Sequence, residues 1–325
     1  MIITSQFQPA RGLGNPHLQT LLPTLYRRFN DVKFIPQTLE LDDGDFVDLA
    51  WTEKPLNSKP IVIIFHGLAG SMHSPYARGM MKAVQQQGWT GVLMHFRGCS
   101  GRHNRLARSY HSGDTGDARF LLNWLGQHYP DSSLAAIGYS LGGNMLLKLQ
   151  AELAEHSPLQ AAVSVSAPMQ LNVSAAVLNS GFAQLYQWVL IRALKQQLAS
   201  KLDLFDYPQL INFQHKNLHE IKNFWQFDNQ ITAPLHGFKD VHDYYRQSSA
   251  RQYLTGISRN TLIIHALDDP FMDETIVPTA EELSSSTTLE LSTHGGHVGF
   301  ISGNPVKPVF WLEQRIPEYL AHLLN

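Results

Sequence analysis

The chain has 325 residues, 43% hydrophobic and 16% charged, a balance that suits a globular protein with a large buried core. Lys and Arg (25) nearly match Asp and Glu (27), for a formal net charge of −2, so the overall charge points to neither nucleic acid nor an anionic membrane as partner. One cysteine, Cys99, rules out an internal disulfide framework and fits a reducing compartment.

The opening MIITSQFQPARG lacks a basic stretch followed by an apolar one, so no secretory signal is expected. Apolar runs such as IVIIF (61–65) are too short to span a bilayer, which predicts a cytoplasmic protein with no transmembrane segment. Through about residue 36 the chain reads as an irregular N-terminal arm. QTLELDD and FVDLAWT then alternate in polarity and predict an antiparallel pair. PIVIIFHG (60–67) is a continuous apolar, β-branched run, the pattern of a strand buried on both faces. YARGMMKAVQQQG predicts a helix closed by Gly88, and WTGVLMHFRG (89–98) the next buried strand.

TGDARFLLNWLGQHYP (115–130) predicts a helix with Asp114 or Thr115 as N-cap and Pro130 beyond its end. LAAIGYS, GGNMLLKLQAELAEH and LQAAVSVSAP continue as strand, helix and strand. This alternation predicts a mostly parallel sheet with helices on both faces. From about 169 to 250 the rhythm changes to an aromatic-rich helical stretch without a buried strand, including GFAQLYQWVLIRALKQQLASKL. Sheet pattern returns in NTLIIHALDD (260–269) and TTLELSTHGG (287–296), and VFWLEQRIPEYLAHLL closes the chain as a helix. The expected division is a core of 1–168 and 251–325, with 169–250 inserted as a helical lid. That lid would cover the sheet's carboxyl edge, where open α/β sheets bind ligands.

GYSLG (138–142) sits between a buried strand and a helix and fits G-x-S-x-G, the nucleophile elbow. A strained turn there lifts the Ser140 hydroxyl clear of the sheet, Gly138 and Gly142 let backbone pass close by, and the helix N-terminus points at the same spot. A serine hydroxyl is a weak nucleophile unless a histidine oriented by a carboxylate takes its proton. Both groups occur in the order serine, acid, histidine. IIHALDDPF offers Asp268 and Asp269 after a strand, and THGGHVGF offers His294 and His297 in a glycine-rich loop. Asp269, directly before a proline, is the preferred acid, with Asp268 as a turn or capping group. His297 is the preferred base, with His294 packing locally. A metal site built on the two histidines lacks a third ligand at motif spacing. Oxyanion donors are expected from the N–H of Leu141 and from FHGLAGS (65–71), where His66 and Gly67 open a loop that presents the N–H of Leu68.

In HFRGCSGRHNRLARSYHSGDTGD (95–117), Arg97, Arg102, Arg105 and Arg108 leave a central strand. They could hold an anionic part of a substrate, or belong to a solvated loop pairing with Asp114 and Asp117; the second is the simpler reading. Cys99 reads as a small buried residue. Other histidines, His17 among them, read as surface or packing groups.

GNPHLQTLLP (14–23), FHGLAGS, FRGCSG, GYSLGGN, NTLIIHALDDPF and HGGHVGF together resemble the YheT-like branch of the α/β-hydrolases. That branch is similar to eukaryotic abhydrolase-domain proteins and plant embryogenesis-associated relatives. The resemblance implies an α/β-hydrolase fold and a serine hydrolase acting on carboxylic esters, with Ser140, Asp269 and His297 in the triad positions. His265 stands where relatives often carry asparagine, outside the triad. No metal or organic cofactor is expected, and the partner is a small-molecule ester, lipid-like in one version. The same triad would serve an acyltransferase or thioesterase. A non-catalytic binding protein would show a broken triad or elbow, and neither is broken here.

Overall fold

The computed structural model describes residues 1–26, 32–304 and 306–324. Residues 27–31 of the expected arm, with 305 and 325, lie outside the described residues. The main sheet uses β1 (Ile2–Thr4), β2 (Ile35–Glu40), β3 (Phe46–Trp51), β4 (Ile61–Phe65), β5 (Thr90–Met94), β6 (Leu134–Tyr139), β7 (Leu159–Val165), β8 (Asn260–Ala266) and β9 (Thr287–Ser292). Their spatial order is β1-β9-β8-β7-β6-β4-β5-β3-β2. From β1 to β5 every neighbouring pair is parallel, whereas β3 runs antiparallel to both β5 and β2.

The apolar runs are central because both their faces are covered. Val62 and Ile64 of β4 pack under α2 (Pro75–Gln86) and α11 (Leu312–Leu324). Ile61, Ile63 and Phe65 point the other way, toward α3 (Gly116–His128) and α4 (Leu141–Leu153). That is the period-two alternation of a strand, with apolar side chains on each face. Burying such side chains contributes about 1.5–3 kcal/mol apiece.

Between β7 and β8 the chain leaves the sheet. It forms α5 (Leu171–Leu178), α6 (Ala183–Leu202), α7 (Tyr207–Ile211), α8 (Phe224–Phe227), α9 (Ala233–Leu235) and α10 (Val241–Ser248). These helices share an apolar cluster of their own, including Ile191, Leu194, Leu198, Phe224, Phe227 and Tyr245. One set of ties to the core runs through a single loop: Lys201 Nζ donates to the carbonyls of Leu106, Ala107 and Arg108 (3.3, 3.3 and 2.6 Å), and Tyr207 Oη donates to that of Ala107 (2.8 Å).

Two local expectations need correction, the N-terminal arm and the start of the closing helix. The N-terminal arm is not irregular: it contributes β1, paired in parallel with β9, and α1 (Pro16–Tyr26). Asn15 caps α1, its Oδ1 accepting from the N–H groups of His17 (2.9 Å) and Leu18 (3.2 Å), with Pro16 at the first helical position. Thr115 is the N-cap of α3, as expected, but without a side-chain cap hydrogen bond: Thr115 Oγ1 donates to Glu152, and Arg108 takes the Asp114 carboxylate. The closing helix starts only at Leu312, because the residues before it pair as the antiparallel strands β10 (Ile301–Asn304) and β11 (Lys307–Phe310). Cys99 is buried, and burial pushes its thiol up to about 12.

Candidate active site

Buried strand β6 ends at Tyr139, α4 begins at Leu141, and Ser140 makes the whole turn with φ 50° and ψ −118°. Such a backbone costs on the order of 1–3 kcal/mol for a residue with a side chain. Its neighbours hold it there: Ser140 N–H donates to Val165 O at 2.8 Å, and Ser140 O accepts from Asn144 N–H at 3.0 Å. The flanking glycines are steric necessities. A Cβ on Gly138 would lie 2.4 Å from Gly142 O, and one on Gly142 would lie 2.5 Å from the carbonyl oxygens of both Phe65 and His66.

Two consecutive carboxylates after β8 reach one loop after β9, with different contacts. Asp269, buried, places Oδ2 2.8 Å from His297 Nδ1 and accepts from Phe271 N–H on Oδ1 at 2.9 Å. Asp268 accepts from Gly296 N–H on Oδ1 (2.9 Å) and faces His294 Nδ1 at 3.3 Å. Burial raises the Asp268 carboxyl above its ordinary pKa. The two histidines therefore serve different partners and do not converge as metal ligands. The imidazole of His297 is clamped from its face by Phe271, whose ring lies 3.9 Å away and 5° from parallel. With Nδ1 taken by Asp269, Nε2 is the ring nitrogen left for other chemistry.

Ser140 and His297 line one cavity of about 370 Å³, together with Gly67, Leu68 and Leu141. The first loop comes close to the elbow, for a Cβ on Gly67 would stand 3.3 Å from Ser140 Cβ. Two tyrosines fix that loop. Tyr76 Oη accepts from Gly67 N–H and Tyr110 Oη from Ala69 N–H, each at 2.8 Å, with Leu68 between them. His66 is an internal strut: Nε2 accepts from Phe96 N–H at 3.1 Å, so Nδ1 carries the proton and donates to Gly67 O at 2.7 Å. Burial drives its pKa down to about 3, which keeps the ring neutral. His265 on β8 is also buried and shifted down by desolvation.

Sequence reasoning passed over α1, which grips the histidine loop. Thr20 Oγ1 accepts from His297 N–H at 3.0 Å while donating to Pro16 O at 2.7 Å. Gln19, fully buried, donates to Leu13 O (2.7 Å) and Ile301 O (3.0 Å) and accepts from Ile301 N–H (2.6 Å). The contact is backbone-close, because a Cβ on Gly299 would fall 2.0 Å from Gln19 O. His17 is a packing group, one of the two roles expected of it: its Nδ1 lies 3.0 Å from Tyr186 Oη on α6, and its ring packs against Phe182. The available signal was Asn15-Pro16, a cap followed by proline at the first helical position.

Arg97 does not line the cavity. Its side chain is 1% exposed and is ringed by carboxylates, with Asp43 at 2.8 Å, Asp45 at 3.1 Å and Asp117 at 2.7 Å. An anion-binding role is thus corrected to a buried ion cluster, and the solvated-loop reading holds only for its neighbours. Arg102, Arg105 and Arg108 pair nearer the surface with Asp48, Glu40 and Asp114. His111, Asp114 and His236 also cluster, with one ligand-type atom from each inside 4.8 Å. Arg108 already engages both Asp114 oxygens, and Gly113 N–H donates to His111 Nδ1.

A mostly parallel sheet with a strained serine between strand and helix, facing a histidine loop, defines the alpha/beta hydrolase fold. The chain belongs to that family, whose model matches residues 60–304. It is 49% identical over 326 residues to "Putative esterase YheT" of Escherichia coli (strain K12), covering 99% of this chain and 95% of that one. "Embryogenesis-associated protein EMB8" of Picea glauca is 26% identical, over 96% of this chain and 71% of its own length. Among solved structures, the Pyrococcus furiosus esterase Pf2001 superposes with a TM-score of 0.57 at 17% identity, covering 99% of each chain. Among the described residues, no helix is long and apolar enough to cross a membrane.

Proposed function

We propose that the protein is a serine hydrolase that cleaves carboxylic esters through an acyl-enzyme. One observation carries this reading: Ser140, on a strained strand-to-helix turn, shares a cavity with His297, whose Nδ1 is 2.8 Å from buried Asp269. In this mechanism His297 Nε2 takes the hydroxyl proton as Ser140 Oγ attacks the ester carbonyl. Asp269 holds the tautomer and stabilises the imidazolium. The N–H groups of Leu68 and Leu141 stabilise the oxyanion, a contribution of about 3 kcal/mol for one such donor. The alcohol leaves with the proton from His297, and water repeats the cycle on the acyl group.

The cytoplasm is the proposed location, and α5–α10 (169–250) act as the lid. α5 and α6 supply Leu171, Leu178, Leu190 and Leu194 to the cavity wall, which suits an apolar acyl chain. A lipid-like ester is favoured by exposed Phe182, Leu185, Trp188 and Val189 on and beside α6, adjoining α1 through His17. A chain-length series of p-nitrophenyl esters tests the reading, with Ser140→Ala as control. Turnover by wild type and its loss in S140A is expected; a variant that keeps wild-type turnover would overturn it. Faster hydrolysis once the ester forms micelles would support action at a lipid surface, and equal rates would count against it.

A further inference from the structure

One ionisable group in the cavity has no part in the reaction above. Asp228 lines the wall supplied by the inserted helices. It opens a single π-helical turn, Asp228–Thr232, directly after α8. Such a turn is an irregularity often kept where a helix must present side chains to a ligand, and here Asp228 and Thr232 both line the cavity. Thr232 Oγ1 donates to Asp228 Oδ1 at 2.7 Å, and Tyr245 Oη donates to Oδ2 at 2.8 Å. Each oxygen keeps acceptor capacity beyond that one bond.

The surroundings are aromatic rather than cationic. Phe224, Phe227, Tyr244 and Tyr245 line this end of the cavity, and no Lys or Arg among the described residues counters the carboxylate. Burial raises its pKa to about 6, so near neutral pH it is mainly an anion without a counter-ion. His111, on the same wall, is pushed down to about 4 by burial and is neutral there. An asparagine would accept from one of the two hydroxyls on its Oδ1 and donate its amide to the other, without the cost of a buried charge. What a carboxylate among aromatic faces adds is attraction for a cation.

We propose that this end of the cavity is a subsite for a positively charged nitrogen, so that the substrate is an ester bearing an ammonium group, quaternary or protonated, on one arm. The inference rests on the ester-hydrolase reading and deepens it, since Ser140 and Asp228 open on the same cavity.

Butyrylcholine and its uncharged isostere 3,3-dimethylbutyl butyrate differ only in nitrogen against carbon. Wild type is expected to favour the choline ester by about tenfold or more in kcat/KM, and Asp228→Asn to bring the ratio within about twofold of one. Calorimetry on S140A, which needs no turnover, is expected to show hexyltrimethylammonium or hexylammonium binding at least about tenfold more tightly than 1-hexanol. Comparison of the two cations separates quaternary from protonated nitrogen. No charge preference in either arm would overturn the subsite, as would a preference surviving in folded D228N. If D228N fails to fold, the wild-type ratio and the S140A binding still decide. Failure of wild type to cleave either ester, with cation binding intact, would sink the hydrolase reading instead.

Discussion

Asp269→Asn separates the proposed acid from its neighbour. In the wild type, Asp269 Oδ2 stands 2.8 Å from His297 Nδ1 in a buried setting, which puts the two charge centres about 4 Å apart once the ring is protonated. At an effective dielectric constant near 20, that attraction is about 4 kcal/mol. Losing it in the transition state slows the reaction by roughly 10³. An amide facing Nδ1 can also favour the other tautomer, leaving Nε2 protonated and unable to act as base, which carries the loss toward about 10⁴. Asp268→Asn keeps an oxygen for Gly296 N–H and leaves the His297 pair intact, so its kcat is expected to fall less than about tenfold. Steady-state hydrolysis of p-nitrophenyl butyrate, with circular dichroism as the check on folding, measures both variants. A folded D269N within tenfold of wild type would refute the reasoning, as would a D268N loss as large as that of D269N.

Thr20→Val removes the acceptor of the His297 N–H. It should lower kcat by roughly tenfold with KM changed little, as a small misplacement of a catalytic group does, while Thr20→Ser restores the rate. A loss confined to KM would contradict a positioning role. Arg97→Ala strands fully buried Asp45 and buried Asp117, and unfolding in urea should show about 3–5 kcal/mol less stability; near-wild-type stability would contradict the buried cluster. Acid should destabilise the protein from about pH 6.5 downward. Burial lowers His66, His95, His111, His236 and His265, so the unfolded chain gains protons there that the folded one refuses, and stability falls as pH falls. Asp117, Asp228 and Asp268 are raised and oppose this in part, taking protons earlier when folded. A urea midpoint that rises between pH 7 and pH 5 would contradict the burial of these rings as neutral groups.

What could be read from sequence was what local pattern encodes. Strands β4–β8 announce themselves as apolar runs because they are covered on both faces, and the turn at Ser140 is written in five adjacent residues. The hydrophobic signal fails for β1, three residues long, which is a strand only because β9 offers it an edge. It fails likewise for the antiparallel pair β10–β11, whose Ile301 packs on Ala10 and Leu13 of the arm. Polar contacts between distant segments leave no periodic trace. Arg97 meets Asp45 from 52 residues upstream, and Gln19 meets Ile301 across 282. The arginines of the loop therefore looked like a surface charge run, and the arm like a tail. Asp228 was equally silent, since only folding places it in an aromatic cavity.

The central claim is that Ser140 is a nucleophile activated by His297. Intact-mass spectrometry after exposure to a fluorophosphonate tests it directly. The folded wild type should gain one adduct, mapped by proteolysis to the Ser140 peptide, and S140A none, with His297→Ala labelling far more slowly. An unlabelled wild type, or an adduct that persists in S140A, would contradict the account.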